Sequence, residues 1–340
     1  MNSMQIGVDL AKSVFDIAVS EAPGRVQERR RLSRSAFGPF FAERQPALIV
    51  MEACGSAHHW GRELQRLGHS VALLHPADVA RYRDGNKTDR ADAKALLEAI
   101  RNEALTRVPV KSLEQQAVTA LHRLRQGYLQ TRTARINAVR GHLREFGWVI
   151  PVGAAQVLPQ AAAALDSGTV PTLLRPALMT VLEEVGALEA KADAVRAELS
   201  RLADQIPTAQ LLLTVPGVGV LTATALVAFV GEIHRFRSGR DFAAYLGLTP
   251  REHSTGQIHR LGSITKRGNS YVRMLLIHGA RSDLRPGTVT RHPDDLRTWA
   301  RAVAARKGYN VAAVALANKL ARVCWRVWRD QRPFQRREAP

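Results

Sequence analysis

Residues 5–20 have the sequence QIGVDLAKSVFDIAVS, and this stretch decides the fold. Apolar residues dominate Gln5–Asp9 and Val14–Ser20, and a short polar segment separates them. The pattern predicts two β-strands that pair as a hairpin through a tight turn. A third strand is predicted over Val26–Leu32. The chain therefore begins as an antiparallel sheet.

Strands alternate with helices after this meander. A helical stretch precedes a buried strand at Ala47–Met51, and a helix is predicted over His58–Leu67 before a further strand at Ser70–Leu74. Strands that first pair as a hairpin and then interleave with helices indicate a mixed α/β sheet. We expect this sheet to form a first domain over residues 1–105.

The middle of the chain, residues 106–207, predicts a helical coiled-coil region. An Arg-rich helix is expected over Leu113–Phe146, and an Ala/Pro/Gly-rich segment, Gly147–Pro171, separates it from the next helix. That helix has apolar residues at alternating steps of four and three, the spacing of a coiled-coil seam. The seam consists of Val181, Val185, Leu188, Ala192, Val195, Leu199, Leu202 and Ile206. The resulting helical hairpin either pairs with another subunit or folds back within the chain.

The last third, residues 208–340, is predicted to be mainly helical with one polar loop at Thr249–Asn269. The most apolar run, Leu211–Val230, contains Pro216 and glycines, so it suits a buried helix pair better than a membrane span. Trp299, Trp325 and Trp328 lie among arginines, where they would stack on bases or, as is commoner at helical spacing, belong to the core.

Composition points to a polyanionic partner. The chain has 49 Lys and Arg against 30 Asp and Glu, a formal charge of +19. Such a field attracts phosphate backbones and makes binding depend on salt. Its two cysteines, Cys54 and Cys324, cannot form a metal cluster, and the N-terminus has no secretory signal. We therefore expect a cytoplasmic, reduced protein that associates with the nucleoid when bound to DNA.

Four carboxylates are placed where they would converge. Asp9 and Glu52 each close a predicted strand, and α/β sheets commonly place their sites at strand ends. Asp89 and Asp92 lie three residues apart on one face of a predicted helix. Taken singly, each acid is better explained as a surface charge or a cap. Together, without histidine or cysteine, they predict a hard oxygen site for Mg²⁺, which can activate phosphodiesters.

Two glycine-containing segments indicate contacts with phosphate. The turn Thr214–Val220, with Gly217 and Gly219, is similar to a helix-hairpin-helix turn, whose backbone N–H groups can hold a DNA phosphate. A glycine turn between packed helices would have the same appearance.

The polar loop of the last third is the other candidate. It carries the adjacent hydroxyls Ser254 and Thr255, and either could attack a phosphate. The cations that could stabilise the resulting charge are Arg251, His253, Arg260, Lys266 and Arg267. A phosphate-binding loop without covalent chemistry is an equal alternative.

These motifs resemble, in order and over nearly the whole chain, the DEDD transposases of the insertion-sequence one-hundred-ten family, to which the Piv and MooV DNA invertases are similar. The most specific are Lys87-Thr88-Asp89-Arg90-Ala91-Asp92 and the block from Gly247-Leu248-Thr249-Pro250 to Lys266-Arg267-Gly268-Asn269. The resemblance implies a RuvC-like, RNase H-type domain, a coiled-coil insertion and a C-terminal transposase domain. It also implies recombination of donor and target DNA, guided by a bridge RNA, in a homodimer or homotetramer.

By the same resemblance, Asp9, Glu52, Asp89 and Asp92 would bind Mg²⁺, and a serine of the C-terminal loop would form a covalent link to DNA. Several relatives place that serine directly before the glycine, where this chain has Thr255. Ser254 is favoured because its primary hydroxyl is less hindered, although the assignment stays open by one residue.

Three other functions fit parts of the pattern. A RuvC-like, structure-specific nuclease would use the same acids with water as its nucleophile. An actin-like sugar kinase also starts with a strand ending in Asp, but Lys12-Ser13 replaces its phosphate loop and a charge of +19 does not suit it. A non-catalytic helix-hairpin-helix protein would tolerate the loss of Asp89 and Asp92.

Overall fold

The computed structural model describes residues 4–22, 25–83, 88–285 and 295–335, with residues 89–90 described by their backbone alone. The chain divides into two compact units, Met1–Gln115 and Gln116–Pro340. The larger part of the predicted helical region 106–207 falls in the second unit. Among the described helices, none combines the length and the apolar character needed to cross a membrane.

The first unit is built on a five-stranded mixed sheet. Its strands are β1 (Gln5–Leu10), β2 (Val14–Ser20), β3 (Glu28–Ser33), β4 (Leu48–Glu52) and β5 (Ser70–Leu74), in the spatial order β3-β2-β1-β4-β5. The pairs β1–β2 and β2–β3 are antiparallel, whereas β1–β4 and β4–β5 are parallel. The predicted mixed α/β architecture is confirmed.

Helices cover both faces of this sheet. They are α1 (Arg34–Ala42), α2 (Ala57–Arg66), α3 (Pro76–Val79) and α4 (Asp89–Ala99). Alternate residues of β1 face opposite sides, so Ile6 and Val8 join Phe37 of α1 and Trp60 of α2 in one core. Gly7 faces the other side, where α4 packs. The acid-bearing helix thus lies directly on the acid-bearing strand.

The second unit is mainly helical, as predicted. Its helices are α5 (Leu113–Glu145), which begins just before the boundary, α6 (Val157–Asp166), α7 (Arg175–Gln205), α8 (Pro207–Leu213), α9 (Val220–Val230), α10 (Gly239–Tyr245), α11 (Ser270–Asp283), α12 (Asp295–Lys307) and α13 (Tyr309–Asp330). The polar loop of the last third holds an unpredicted hairpin, β6 (Pro250–Glu252) with β7 (Leu261–Ile264).

The apolar seam of α7 is covered within the chain. Val185 packs in one cluster with Ile136 of α5, and Leu199 packs in another with Val118 of α5 and Ala228 of α9. Two ion pairs also join α5 to α7, Arg132–Glu189 at 2.9 Å and Arg135–Glu184 at 2.7 Å. Of the two arrangements expected for this hairpin, the described contacts are those of the intrachain one.

A polar cluster is enclosed among these helices. His122 of α5 is 0% exposed, and its Nδ1 and Nε2 lie 3.0 Å from the Tyr271 hydroxyl and the Thr224 hydroxyl. Thr224 donates its proton to the carbonyl of Val220, so it accepts from Nε2–H, and Nδ1 accepts from Tyr271. The neutral imidazole therefore satisfies both of its nitrogens.

Candidate active site

Asp9 and Glu52 lie at the ends of adjacent parallel strands. The register pairs Val8 of β1 with Met51 of β4, so the next residue on each strand is a carboxylate. Both side chains are half-buried. Burial raises the pKa of the nearby Cys54 thiol, and the negative charges of Glu52 and Asp9 raise it further. The structure thus brings these two predicted site residues together at one edge of the sheet.

Helix α4 is held against this edge by a close backbone approach. A Cβ atom added at Gly7 would lie 2.3 Å from the carbonyl oxygen of Ala93, so only glycine allows the contact. The Thr88 hydroxyl caps α4 by accepting from the Ala91 amide at 3.2 Å. Asp89 is the first residue of α4 and shares a helix face with Ala93, one turn later. Its side chain lies outside the described residues.

Asp92 has an ion-pair partner that the sequence did not indicate. Its side chain is buried, and Arg83 donates a hydrogen bond from Nε to Oδ1. Within the described side chains, no group of three or more His, Cys, Asp or Glu residues has the arrangement of a metal site. The structure therefore places Asp9 and Glu52 close together, whereas Asp92 forms an ion pair with Arg83.

The two candidate nucleophiles lie on the β6–β7 hairpin, in the second unit. Ser254 Oγ donates to Glu252 Oε1 at 2.6 Å and accepts from the amide of Arg260 at 3.3 Å. Thr255 forms the turn itself, because its backbone exchanges hydrogen bonds of 3.1 and 3.0 Å with Ile258. The two hydroxyls thus differ in role: Ser254 contacts a carboxylate, and Thr255 closes the hairpin.

The two ends of the block from Gly247 to Asn269 contact each other at the base of this hairpin. Gly247 has a φ of +69°, and a Cβ there would lie 2.2 Å from the carbonyl oxygen of Arg267. The buried Arg273 of α11 donates to the carbonyls of Leu246 and Arg267 at 2.9 and 2.7 Å. Asn269 caps α11 by accepting from the amides of the next turn. These contacts fix the position from which the hairpin emerges.

The predicted phosphate-contacting residues differ in accessibility. Arg251, Lys266 and Arg267 are exposed around the hairpin base. Gly217 instead lies against the backbone of Gly279 in α11, which gives it a packing role. Gly219 is exposed at the start of α9, with open space where a side chain would stand. Phosphate binding at the Thr214–Val220 turn stays a prediction. Of its two glycines, Gly219 is the one that a phosphate could reach.

Comparison with known proteins identifies the family. The DEDD transposase model of the IS110 type matches residues 6–147, and the model described as "Transposase IS116/IS110/IS902 family" matches residues 209–292. A "Probable family 20 transposase" of Pseudomonas aeruginosa is 42% identical over 96% of each chain.

Two other relatives extend this picture. The "Transposase for insertion sequence element IS1111A" of Coxiella burnetii is 38% identical over 97% of this chain and 91% of its own. The "Pilin gene-inverting protein" of Moraxella lacunata is 31% identical over 38% of this chain and 39% of its own. The chain therefore belongs to the IS116/IS110/IS902 family of transposases, and it is an enzyme that acts on DNA.

Proposed function

We propose that this transposase breaks and rejoins DNA strands through a covalent link between Ser254 and a DNA phosphate. One observation carries the proposal: Ser254 Oγ donates its proton to Glu252 while the amide of Arg260 donates to the same oxygen. A hydroxyl whose proton already points at a carboxylate is placed for activation as a nucleophile. A covalent link preserves the energy of the broken phosphodiester until a new DNA end attacks.

The chemical step follows from this geometry. Ser254 Oγ forms a bond to phosphorus, the bond from phosphorus to the leaving sugar oxygen breaks, and the hydroxyl proton moves to Glu252. The leaving oxygen takes its proton from water. The exposed cations Arg251, Lys266 and Arg267 would contact the phosphate oxygens and stabilise their charge. In the reverse step a new sugar hydroxyl attacks the phosphorus and its proton passes to solvent, the bond from phosphorus to Ser254 Oγ breaks, and Ser254 takes back the proton held by Glu252.

The acids of the first unit complete the proposal. The sheet order β3-β2-β1-β4-β5, with carboxylates at the ends of the central β1 and β4, supports a RuvC-like, RNase H-type domain. Carboxylate oxygens alone form the donor set of Asp9, Glu52, Asp89 and Asp92, which suits a hard divalent cation such as Mg²⁺. The chemistry such a cation supplies when bound is polarisation of the phosphoryl oxygens. Arg83 balances the charge of Asp92 in the structure described.

The excess of positive charge supports an RNA partner in addition to DNA. A formal charge of +19 attracts the phosphate backbones of RNA and DNA alike, so one chain can bind both. Guidance by a bridge RNA, assembly of two or four subunits and a cytoplasmic location are further parts of this proposal.

Trapping the covalent intermediate tests the proposal. Wild-type protein, incubated with Mg²⁺, guide RNA and DNA bearing the element end, is expected to form an adduct that peptide mass spectrometry maps to Ser254. Ser254→Ala should lose both adduct and recombination, whereas Thr255→Val, which removes the adjacent hydroxyl, is the matched control and should retain most of both. An adduct on Thr255 would move the nucleophile by one residue.

The competing function is a nuclease that uses water. It predicts cleaved DNA with no adduct, and Ser254→Ala would then cleave like the wild type. Such a result would mean that the acids of the first unit act in cleavage and that Ser254 does not.

A further inference from the structure

A cationic cleft of the second unit lies between α10 and α13. It encloses about 620 Å³ and is lined by four cationic side chains, Arg240, Lys319, Arg322 and Arg326. Its floor includes the apolar side chains of Leu296 and Val323. We name this site the α10–α13 cleft.

Helix geometry explains why the cations converge. Lys319, Arg322 and Arg326 stand at i, i+3 and i+7 on α13, which places them on one face. Seven residues of α-helix rise by about 10 Å, so the three charges form a short stripe. Arg240, in the first turn of α10, adds a fourth charge from the opposite wall.

This positive charge has little internal compensation. No acidic residue is among the described residues that line the cleft. Of the four cations that line the cleft, Arg326 forms an ion pair with a carboxylate, that of Asp330, one turn further along α13. Burial lowers the pKa of Lys319, and the neighbouring positive charge of Arg322 lowers it further. The cleft therefore holds like charges together, a state that an anion entering from solvent would relieve.

The aromatic rings near the cleft are not available for base stacking. The Lys319 ammonium lies 3.4 Å from the centroid of the Trp299 ring and covers that face. Trp325 lines the cleft but is only 9% exposed, with the Arg329 guanidinium 4.9 Å from its ring centroid, and Trp328 is 6% exposed, so both belong to the core. A site that offers cations without open rings recognises phosphates and leaves the bases unread.

We propose that the α10–α13 cleft binds the phosphodiester backbone of nucleic acid independently of sequence, through residues other than those of the hairpin. A stripe of about 10 Å spans roughly three phosphate steps of one strand along a duplex axis. DNA and RNA share this backbone, so the experiment distinguishes them. The inference needs no cleavage, and it would survive failure of the serine proposal.

The experiment compares binding by wild type and by the triple variant Arg240→Gln, Lys319→Met, Arg322→Gln. Fluorescence anisotropy without divalent cation would measure Kd between 50 and 200 mM salt for duplex DNA and for single-stranded RNA. Loss of three phosphate contacts lowers the slope of log Kd against log salt by about 2.7 for duplex DNA and about 2.1 for a single strand. The ratio of Kd at the two salt concentrations should then fall by about 40-fold for duplex DNA.

A matched control removes the same charge elsewhere in the unit. The triple variant of Arg132, Arg135 and Arg201 to Gln deletes three arginines that each already pair with a glutamate. A charge-retaining variant, Arg240→Lys, Lys319→Arg and Arg322→Lys, should restore binding if the fold is intact.

The outcomes decide the proposal. Weakening confined to DNA or to RNA identifies the occupant, and weakening of both identifies the shared backbone. Equal slopes for the cleft variant and the control on both nucleic acids would overturn the inference, as would a loss restricted to one DNA sequence.

Discussion

The buried His122 should make the stability of the second unit depend on pH. Burial, and to a lesser extent the positive charge of Arg125, lowers the pKa of His122 from 6.5 to about 4. Between these two values the unfolded chain binds a proton that the folded chain does not. The free energy of unfolding is therefore highest above pH 6.5, and it decreases progressively as pH falls towards 4.

The size of the effect follows from the two pKa values. At pH 5 the unfolded imidazole is almost fully protonated, whereas the folded one is mostly neutral. Linkage then gives a loss of about 2 kcal/mol in the free energy of unfolding between pH 7 and pH 5 from this residue alone. That is a large fraction of the stability of an ordinary domain.

Urea denaturation of wild type and of His122→Gln, followed by tryptophan fluorescence at pH 7, 6 and 5, isolates this contribution. Glutamine can donate to Thr224 and accept from Tyr271 without titrating, so the variant should lose about 2 kcal/mol less than wild type over this range. His142→Gln, at an exposed position on the same helix, is the control and should follow the wild type. Parallel pH curves for wild type and His122→Gln would refute the reasoning.

Three further predictions concern the other buried or acidic positions. Gly247→Ala should lower the free energy of unfolding by about 3 kcal/mol or more, because it combines a left-handed φ with a clash against the backbone of Arg267; an unchanged urea midpoint would contradict this. Arg297 and Asp283 form an ion pair with both side chains almost fully buried. Arg297→Met should therefore cost about 3–5 kcal/mol, and adding Asp283→Leu should recover most of it; equal stability of the single and double variants would exclude an uncompensated charge as the cause. Asp9→Asn should abolish DNA cleavage in a gel assay and shift the free energy of unfolding by less than about 1 kcal/mol, because asparagine has nearly the same size and Asp9 is only half-buried; full cleavage activity would remove Asp9 from the site.

Most of the fold could be predicted from local sequence patterns. The strand Ser70–Leu74 has the predicted ends, and the helix predicted from Leu113 to Phe146 ends one residue earlier, at Glu145. The strand is a short apolar run, and the long helix contains no proline that would interrupt it. The β6–β7 hairpin was missed because its strands have three and four residues, nearly all exposed, and show no alternation. The helix α6 lies in a segment whose alanines and glycines resemble a linker, yet Ala161 and Ala164 are buried.

The site was less accessible to sequence reasoning because it depends on long-range geometry. Strand ends located Asp9 and Glu52, and the parallel register then juxtaposed them. The partner of Asp92 is Arg83, nine residues earlier, and no spacing rule indicates that pair. Glu252 lies two residues before Ser254, a spacing that lets two side chains of one extended strand meet, but the surrounding cations are the stronger signal in the sequence.

The close main-chain contacts of Gly247 and Gly268 at the hairpin base have a consequence for suppressor genetics. When a substitution overfills a core, a smaller side chain nearby can compensate, since side chains can be exchanged. A Cβ at Gly247 meets the main-chain nitrogen and oxygen of residue 267, and a Cβ at Gly268 meets the main-chain oxygen of Tyr245. Main-chain atoms are the same in every amino acid, so no neighbouring codon change removes them. Selection for restored function from either alanine variant should therefore return revertants to glycine and changes that stabilise the unit elsewhere, with no local compensating partner.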